Sequence, residues 1–202
     1  MQNNVSLRLA KRIWEVVEKE EESGELFEKV SPITKELLRF WFCEPFVSQR
    51  QFNFHKGQKQ SILNIIYLHE VLKINNVLEI YEQVAPDLLL ESDLFGAKET
   101  RNSLKESRYD LPKYLVKMAT GTGKTWVMHA LLIWQILNAK NEEEKSGRFT
   151  KNFLIVAPGL IVYDRLLDAY KGRLQENGNG RDFSTNDFVR NKDLFVPENY
   201  RE

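Results

Sequence analysis

The sequence predicts an α/β fold in which a parallel sheet follows a helical amino-terminal region, and three observations support this prediction. Residues 118–125 read Met-Ala-Thr-Gly-Thr-Gly-Lys-Thr, a glycine-rich loop between an extended apolar segment, 113–118, and a long apolar helical pattern. Residues 153–157 form a short continuous apolar run, which is typical of a strand covered on both faces. Helical patterns alone fill the first 45 residues. Together the two apolar segments and the helix between them predict a βαβ unit.

The amino-terminal residues predict packing helices. Residues 6–22 place apolar side chains on one helical stripe, which is the pattern of a helix that buries one face. Ser31 and Pro32 supply an N-cap and a proline in the first turn of the next helix. The sequence therefore divides into a helical region, 1–45, and a domain, 46–202, that contains the glycine-rich loop.

Further elements follow from periodicity and turn signals in the second region. An apolar run with a helical period predicts a helix, and glycine or clustered polar residues predict its end. In chain order we predict a helix that begins near Gln58, helices around 71–84 and 88–94, a polar surface loop at 98–110, a buried helix at 124–139, a helix at 160–170 closed by Gly172, and a turn at 177–180.

The glycine-rich loop has the residues that a phosphate-binding loop needs. Gly121 and Gly123 allow the backbone to curl with its N–H groups inward, where a Cβ would block a phosphate. Lys124 can reach the β- and γ-phosphates, and Thr125 can place its hydroxyl on Mg²⁺. The amino end of the following helix, which carries partial positive charge, adds to the attraction for a phosphate. The sequence predicts bound ATP or GTP, held by Thr120, Gly121, Thr122, Gly123, Lys124 and Thr125.

Composition restricts the class of protein. The chain has 202 residues, 42% hydrophobic and 29% charged, which is ordinary for a globular protein. Lys plus Arg number 29, as do Asp plus Glu, so no global basic field attracts nucleic acid. Cys43 is the single cysteine and excludes an internal disulfide. No stretch has the length of a membrane span, and we expect a cytoplasmic protein.

An acidic partner for the metal is not evident after the loop. Residues 160–164 resemble an apolar strand that ends in an aspartate, Asp164, but only two residues separate them from the run 153–157. A new parallel strand needs a crossover of a dozen or more residues, so we predict that Asp164 lies on a helix surface. The run 88–91 ends in glutamate but precedes the loop. We therefore expect nucleotide binding without turnover.

Three stretches together resemble the first motor domain of superfamily-two helicases and translocases, and more narrowly the restriction subunit of type III restriction enzymes. Gln58, at the head of a helix, matches the glutamine that reads the adenine edge in this family. Residues 118–125 match the phosphate loop. Residues 153–159 match the motif whose loop touches the DNA backbone, here Ala157, Pro158 and Gly159. The resemblance covers residues 50–175.

The resemblance implies a P-loop NTPase fold with a RecA-like parallel sheet, and ATP and Mg²⁺ as cofactors. It implies catalytic roles for Lys124 and Thr125, with Thr125 as the Mg²⁺ ligand. In the full-length protein it implies an ATP hydrolase that moves on duplex DNA before cleavage, together with a modification methyltransferase subunit. We expect residues 46–202 to be an incomplete first motor domain, without the family's Asp-Glu magnesium motif or the second motor domain.

Two other functions stay open from the residues. A P-loop kinase acting on a small molecule would need an arginine-rich lid, whereas Arg173, Arg181 and Arg190 are scattered. A non-catalytic interaction module would use the nucleotide only to stabilise the fold. Gln58 likewise has an alternative role, as a residue that caps its own helix.

Overall fold

The computed structural model describes residues 5–90, 112–141, 147–176 and 178–201. These residues are mostly helical. The α-helices are α1 (Val5–Ser23), α2 (Glu25–Lys29), α3 (Pro32–Phe42), α4 (Lys56–Ile66), α5 (Val77–Val84), α6 (Pro86–Leu90), α7 (Lys124–Asn141), α8 (Leu160–Lys171), α9 (Asp187–Arg190) and α10 (Lys192–Phe195). A π-helix, Tyr67–Val71, continues α4, and the strands are β1 (Arg173–Leu174) and β2 (Arg181–Asp182). Short 3-10 helices occupy Phe183–Thr185 and Glu198–Tyr200.

The chain forms two compact units. The first comprises residues 1–35 and 55–127, and the second comprises residues 36–54 and 128–202. Two of the three boundaries fall inside α3 and α7, so each of these helices contributes residues to both units, and the third lies just before α4.

The first unit is built on the apolar stripe of α1. This helix packs against α2, α4 and α5, and its Leu9, Ile13 and Val17 are buried. Ile62 and Ile66 of α4 are also fully buried. Each such side chain contributes about 1.5–3 kcal/mol of hydrophobic stabilisation. The predicted helix at 6–22 is therefore confirmed, and so is the burial of its stripe at Leu9, Ile13 and Val17, whereas Trp14 on the same stripe is 37% exposed.

The start of α3 is capped as the sequence predicts. The Ser31 hydroxyl accepts a hydrogen bond from the Thr34 N–H at 3.0 Å. A carboxylate from the π-helix adds to this cap, because Glu70 accepts hydrogen bonds from the Ser31 N–H and from the Thr34 hydroxyl. An anion at a helix amino end is favourable because the unpaired N–H groups there carry partial positive charge.

The second unit contains a cluster of buried rings. Trp41 is buried and its indole N–H donates to the Phe195 carbonyl at 3.0 Å. His129 is 0% exposed, and its ring lies 4.6 Å from that of Phe188 and 5.2 Å from that of Tyr170. Aromatic rings at such separations stabilise one another beyond the area they bury. The cluster therefore joins α3, α7, α8 and the carboxyl-terminal helices within this unit.

The sheet in this structure is small and antiparallel. Arg173 pairs with Asp182 and Leu174 pairs with Arg181. Gly172 ends α8 with φ +83°, and a Cβ there would collide with the Asp182 carbonyl. Glycine is thus required at this position both by the left-handed backbone and by the close approach of β2. The predicted helix at 160–170, closed by Gly172, is confirmed.

The predicted parallel strands are not formed in this structure. Residues 113–118 and 153–157 belong to no strand, and within the described ranges the strands are β1 and β2. Leu115 is 91% exposed and Leu154 is 89% exposed. A parallel strand exists only through hydrogen bonds to a neighbouring strand, and the described residues form no such ladder. The fold shown is helical with one two-stranded sheet.

One other difference from the sequence expectation concerns the start of a helix. The helix predicted around 71–84 begins at Val77, because Lys73 has φ 53° and the Asn76 side chain caps the new helix by accepting the Glu79 N–H at 3.1 Å. Residues 91–111 lie outside the described residues, and with them the predicted loop at 98–110 and the end of the helix at 88–94. Asn177, where the predicted turn begins, is also outside them.

Among the residues that the structure describes, no helix combines the length and the apolar character that crossing a bilayer needs.

We predict that His129 makes the stability of the protein depend on acidity. Burial lowers the pKa of His129 from 6.5 to about 4, and neither ring nitrogen has a hydrogen-bond partner within the described residues. Between these values the unfolded chain binds a proton that the folded chain does not. The free energy of unfolding should therefore fall as the pH is lowered from 6.5 to 4, by up to about 3 kcal/mol.

Urea unfolding of the wild type and of His129→Leu at pH 7 and pH 4.5 tests this prediction. The free energy of unfolding should differ less between the two pH values in His129→Leu than in the wild type. The carboxyl groups are the same in both proteins, including that of Asp187, whose pKa is raised by burial. Tyr170→Phe is the matched control, because the Tyr170 hydroxyl also lacks a partner within the described residues but burial raises its pKa to about 12. Equal pH dependence in the wild type and His129→Leu would contradict the prediction.

Candidate nucleotide-binding site

The glycine-rich loop adopts a left-handed backbone at both glycines. Gly121 has φ 80° and Gly123 has φ 72°, a conformation that other residues rarely adopt. The Thr122 hydroxyl donates to the Ala119 carbonyl at 2.7 Å and so closes the turn between them. The predicted need for glycine at positions 121 and 123 is therefore met by the observed backbone.

Lys124 is held across the base of the loop. Its ammonium donates to the Met118 carbonyl at 3.1 Å and to the Ala119 carbonyl at 2.9 Å. The side chain is exposed, and an ammonium has three donors, of which these carbonyls take two. The cation thus lies against the loop with one donor left for another acceptor.

The loop leads directly into the amino end of α7. The helix has 18 residues and its first turn contains no acidic side chain. The unpaired N–H groups of a helix amino end carry about half a positive charge and favour an anion. Thr125, half-buried, lies in this first turn. The loop, Lys124 and the helix end therefore place their positive charge in one region.

The amino end of α4 forms a capping box. The His55 ring accepts the Gly57 N–H at 3.1 Å and the Gln58 N–H at 3.4 Å through Nδ1. In return the Gln58 side-chain oxygen accepts the His55 N–H at 2.9 Å. The predicted alternative, a helix-capping role for Gln58, is thus observed.

The same two side chains also contact the glycine-rich loop. His55 Nε2 lies 3.0 Å from the Thr122 carbonyl oxygen. The Gln58 amide nitrogen donates to the Gly123 carbonyl at 3.4 Å, and a Cβ on Gly123 would collide with that nitrogen. Gln58 is only 5% exposed. Residues 65 positions apart in the chain therefore meet within the first unit.

Sequence reasoning found Gln58 but missed His55. The signal that was present is the spacing of a capping box, in which the N-cap residue precedes Gln58 by three positions. Histidine is not a common N-cap residue, so its type did not point to that role.

The predicted DNA-contacting loop lies in the second unit. Pro158 and Gly159 are exposed and follow the extended segment. Gly159 is the N-cap of α8 and provides no side-chain hydrogen bond to it. Asp164 is exposed on α8, as the sequence predicts. The structure does not test a contact between Ala157, Pro158 or Gly159 and DNA.

Metal-ligating side chains are not clustered in the described part of the chain. Within it, no three His, Cys, Asp or Glu residues come together as a metal site. The role of Thr125 as a Mg²⁺ ligand stays a prediction.

A large cavity lies elsewhere in the described residues. It has a volume of about 1000 Å³ and belongs to the second unit. Aromatic and arginine side chains, among them Phe40, Phe46, Arg50, Phe52 and Arg201, form its walls. None of the predicted nucleotide-binding residues lines it.

Comparison with known proteins identifies the family. The sequence model of the type III restriction enzyme res subunit matches residues 51–197, a range that contains Gln58, the loop 118–125 and residues 157–159. No curated protein and no solved structure matches the chain. Because the match spans most of the sequence, the chain belongs to the family of type III restriction enzyme res subunits, which are helicase-like ATPases.

Proposed function

We propose that this chain binds Mg-ATP and forms the nucleotide-binding part of a DNA-dependent ATPase of a type III restriction system. The observation that carries the proposal is the loop itself. Gly121 and Gly123 adopt left-handed backbones, and Lys124 opens α7. Gln58 touches the loop from the side. Membership of the res subunit family supports the same conclusion.

In this proposal the phosphates occupy the space where Lys124 and the amino end of α7 place positive charge. Lys124 would exchange its bonds to the Met118 and Ala119 carbonyls for bonds to phosphate oxygens. Hydrogen bonds between an ammonium and an anion are stronger than bonds to a neutral carbonyl, so this exchange is favourable. Thr125 would place its hydroxyl on Mg²⁺, and Lys124 would offset the charge that develops during phosphoryl transfer. The backbone of Thr120 and Thr122 would complete the cradle.

We further propose that Gln58 selects adenine. One amide N–H of Gln58 is used by the Gly123 carbonyl and one lone pair of its oxygen by the His55 N–H. A primary amide has two N–H donors and two lone pairs, so one of each is left. The remaining N–H and the remaining lone pair of Gln58 match the acceptor and the donor on the adenine edge.

The proposed fold of the whole protein includes the parallel sheet of a P-loop NTPase. We assign its first two strands to residues 113–118 and 153–157, within a domain of residues 46–202 that follows the helical region 1–45. Exposed apolar side chains on these segments, such as Leu115 and Leu154, support the assignment, because a strand inside a parallel sheet is covered on both faces.

For the full-length protein we propose ATP-driven movement on duplex DNA before cleavage, with a methyltransferase subunit as partner, in the cytoplasm. Residues 157–159 would contact the DNA backbone. Gly159 is the N-cap of α8 and leaves the first N–H groups of this helix without a side-chain cap. Such groups are good donors to a phosphate.

The first prediction concerns Lys124. Lys124→Ala should abolish Mg-ATP binding measured by titration calorimetry, because it removes the only side-chain cation in the loop. Thermal unfolding should not change, since this side chain is exposed. Lys140→Ala is the matched control, because Lys140 is exposed in the last turn of the same helix. Equal affinity in Lys124→Ala and the wild type would refute the proposed site.

A second prediction concerns base selection by Gln58. In Gln58→Glu the carboxylate keeps the acceptor of the capping box but loses the amide donors. The ratio of ATP affinity to GTP affinity should fall by about tenfold, which is the value of one to two hydrogen bonds. Gln83→Glu introduces the same charge at an exposed position of α5 and should leave the ratio unchanged. An unaltered ratio in Gln58→Glu would remove Gln58 from base recognition.

A third prediction concerns turnover. Residues 1–202 should show no DNA-stimulated ATP hydrolysis, because phosphoryl transfer needs an acidic metal ligand and a positioned water besides the phosphate loop. A phosphate-release assay with and without duplex DNA measures this. Hydrolysis that disappears in Lys124→Ala would show that a suitable carboxylate is present in these residues.

A further inference from the structure

The amino end of α4 holds two consecutive carbonyl groups of the phosphate loop. His55 Nε2 lies 3.0 Å from the Thr122 oxygen, and the Gln58 amide nitrogen lies 3.4 Å from the Gly123 oxygen. All four residues belong to the first unit. The loop is therefore attached to α4 through its backbone and not through its side chains.

The His55 contact also fixes the direction of the Gly123 N–H group. The Gly123 carbonyl is held by α7 as well as by Gln58, because the Trp126 and Val127 N–H groups donate to it at 3.0 and 3.4 Å, and the direction of the Lys124 N–H follows from these bonds. A trans peptide is planar, and its C=O and N–H point in opposite directions. The Thr122 carbonyl shares a peptide with the Gly123 N–H, and the Gly123 carbonyl shares one with the Lys124 N–H. Because the Thr122 carbonyl faces α4, the Gly123 N–H faces away from it. Successive N–H groups oriented to one side form an anion-binding nest.

The His55 ring can make its contact in only one neutral tautomer. Nδ1 accepts the Gly57 and Gln58 N–H groups, so the ring proton is assigned to Nε2. That Nε2–H then donates to the Thr122 carbonyl. The cap of α4 thus orients the ring as a donor to the loop.

We propose that His55 is a positioning residue of the nucleotide site, which holds the Thr122–Gly123 peptide so that the Gly123 N–H is aimed at the phosphates. The proposal rests on the proposed function, since it assumes that the loop binds phosphate. His55 acts on the phosphate cradle, whereas Gln58 also faces the base. Loss of the His55 contact therefore weakens every nucleoside triphosphate alike.

The test uses His55→Asn in the full chain. Asparagine is a good N-cap residue, so α4 keeps its cap, but the shorter side chain cannot reach the Thr122 oxygen. The affinities for Mg-ATP and Mg-GTP should both fall by about fivefold, the factor that corresponds to one hydrogen bond of about 1 kcal/mol. Their ratio should stay the same. Without nucleotide, ¹⁵N relaxation should show a more mobile Gly123 amide, because the Thr122–Gly123 peptide has lost the hydrogen bond that holds it.

Lys56→Ala is the matched control. Lys56 is exposed in the same first turn of α4, and its ammonium pairs with Glu18 at 2.9 Å, not with the loop. This variant should change neither the affinities nor the mobility of the Gly123 amide.

The possible outcomes separate this proposal from the proposed function. Unchanged affinities and unchanged mobility of the Gly123 amide in His55→Asn overturn the positioning role, as does a change in the ATP to GTP ratio, which would place His55 at the base. If the wild type binds neither nucleotide, the proposed function fails. The mobility of the Gly123 amide then still decides whether His55 holds the loop.

Discussion

The approach of Gln58 to the backbone at Gly123 is the constraint on which the candidate site depends. A Cβ on Gly123 would collide with the Gln58 amide, and the left-handed φ of Gly123 independently excludes most other residues. This close approach lets α4 hold the loop from one side. The positive charge of the candidate site then comes from Lys124 and the amino end of α7.

The two units are stabilised in different ways. The first depends on aliphatic side chains of α1 and α4, which bury apolar area without polar cost. The second depends on rings, and its cluster includes His129 and Tyr170, whose polar atoms have no hydrogen-bond partner within the described residues. Burying such atoms costs free energy. The cost falls on Tyr170 and on His129, which lies one turn beyond Thr125 in the helix that follows the glycine-rich loop.

Helices were predictable from the sequence, whereas strands were not. The Ser31 cap, the buried stripe of α1 and the end of α8 at Gly172 all match the expectation. A helix satisfies its hydrogen bonds within a few residues, so local patterns decide it. The runs 113–118 and 153–157 have apolar sequences suited to strands, but a strand needs a partner from a distant part of the chain, and none is paired with them in the described residues.

The sequence by itself predicted a phosphate-binding role for the glycine-rich loop, because glycine, lysine and threonine stand there at fixed short spacing. It also singled out Gln58 as a residue of the site. Only the tertiary structure decided that Gln58 both caps α4 and touches Gly123, and that His55 touches Thr122. These contacts join residues more than 60 positions apart, and no local pattern encodes such a distance. Their geometry depends on how the intervening chain folds.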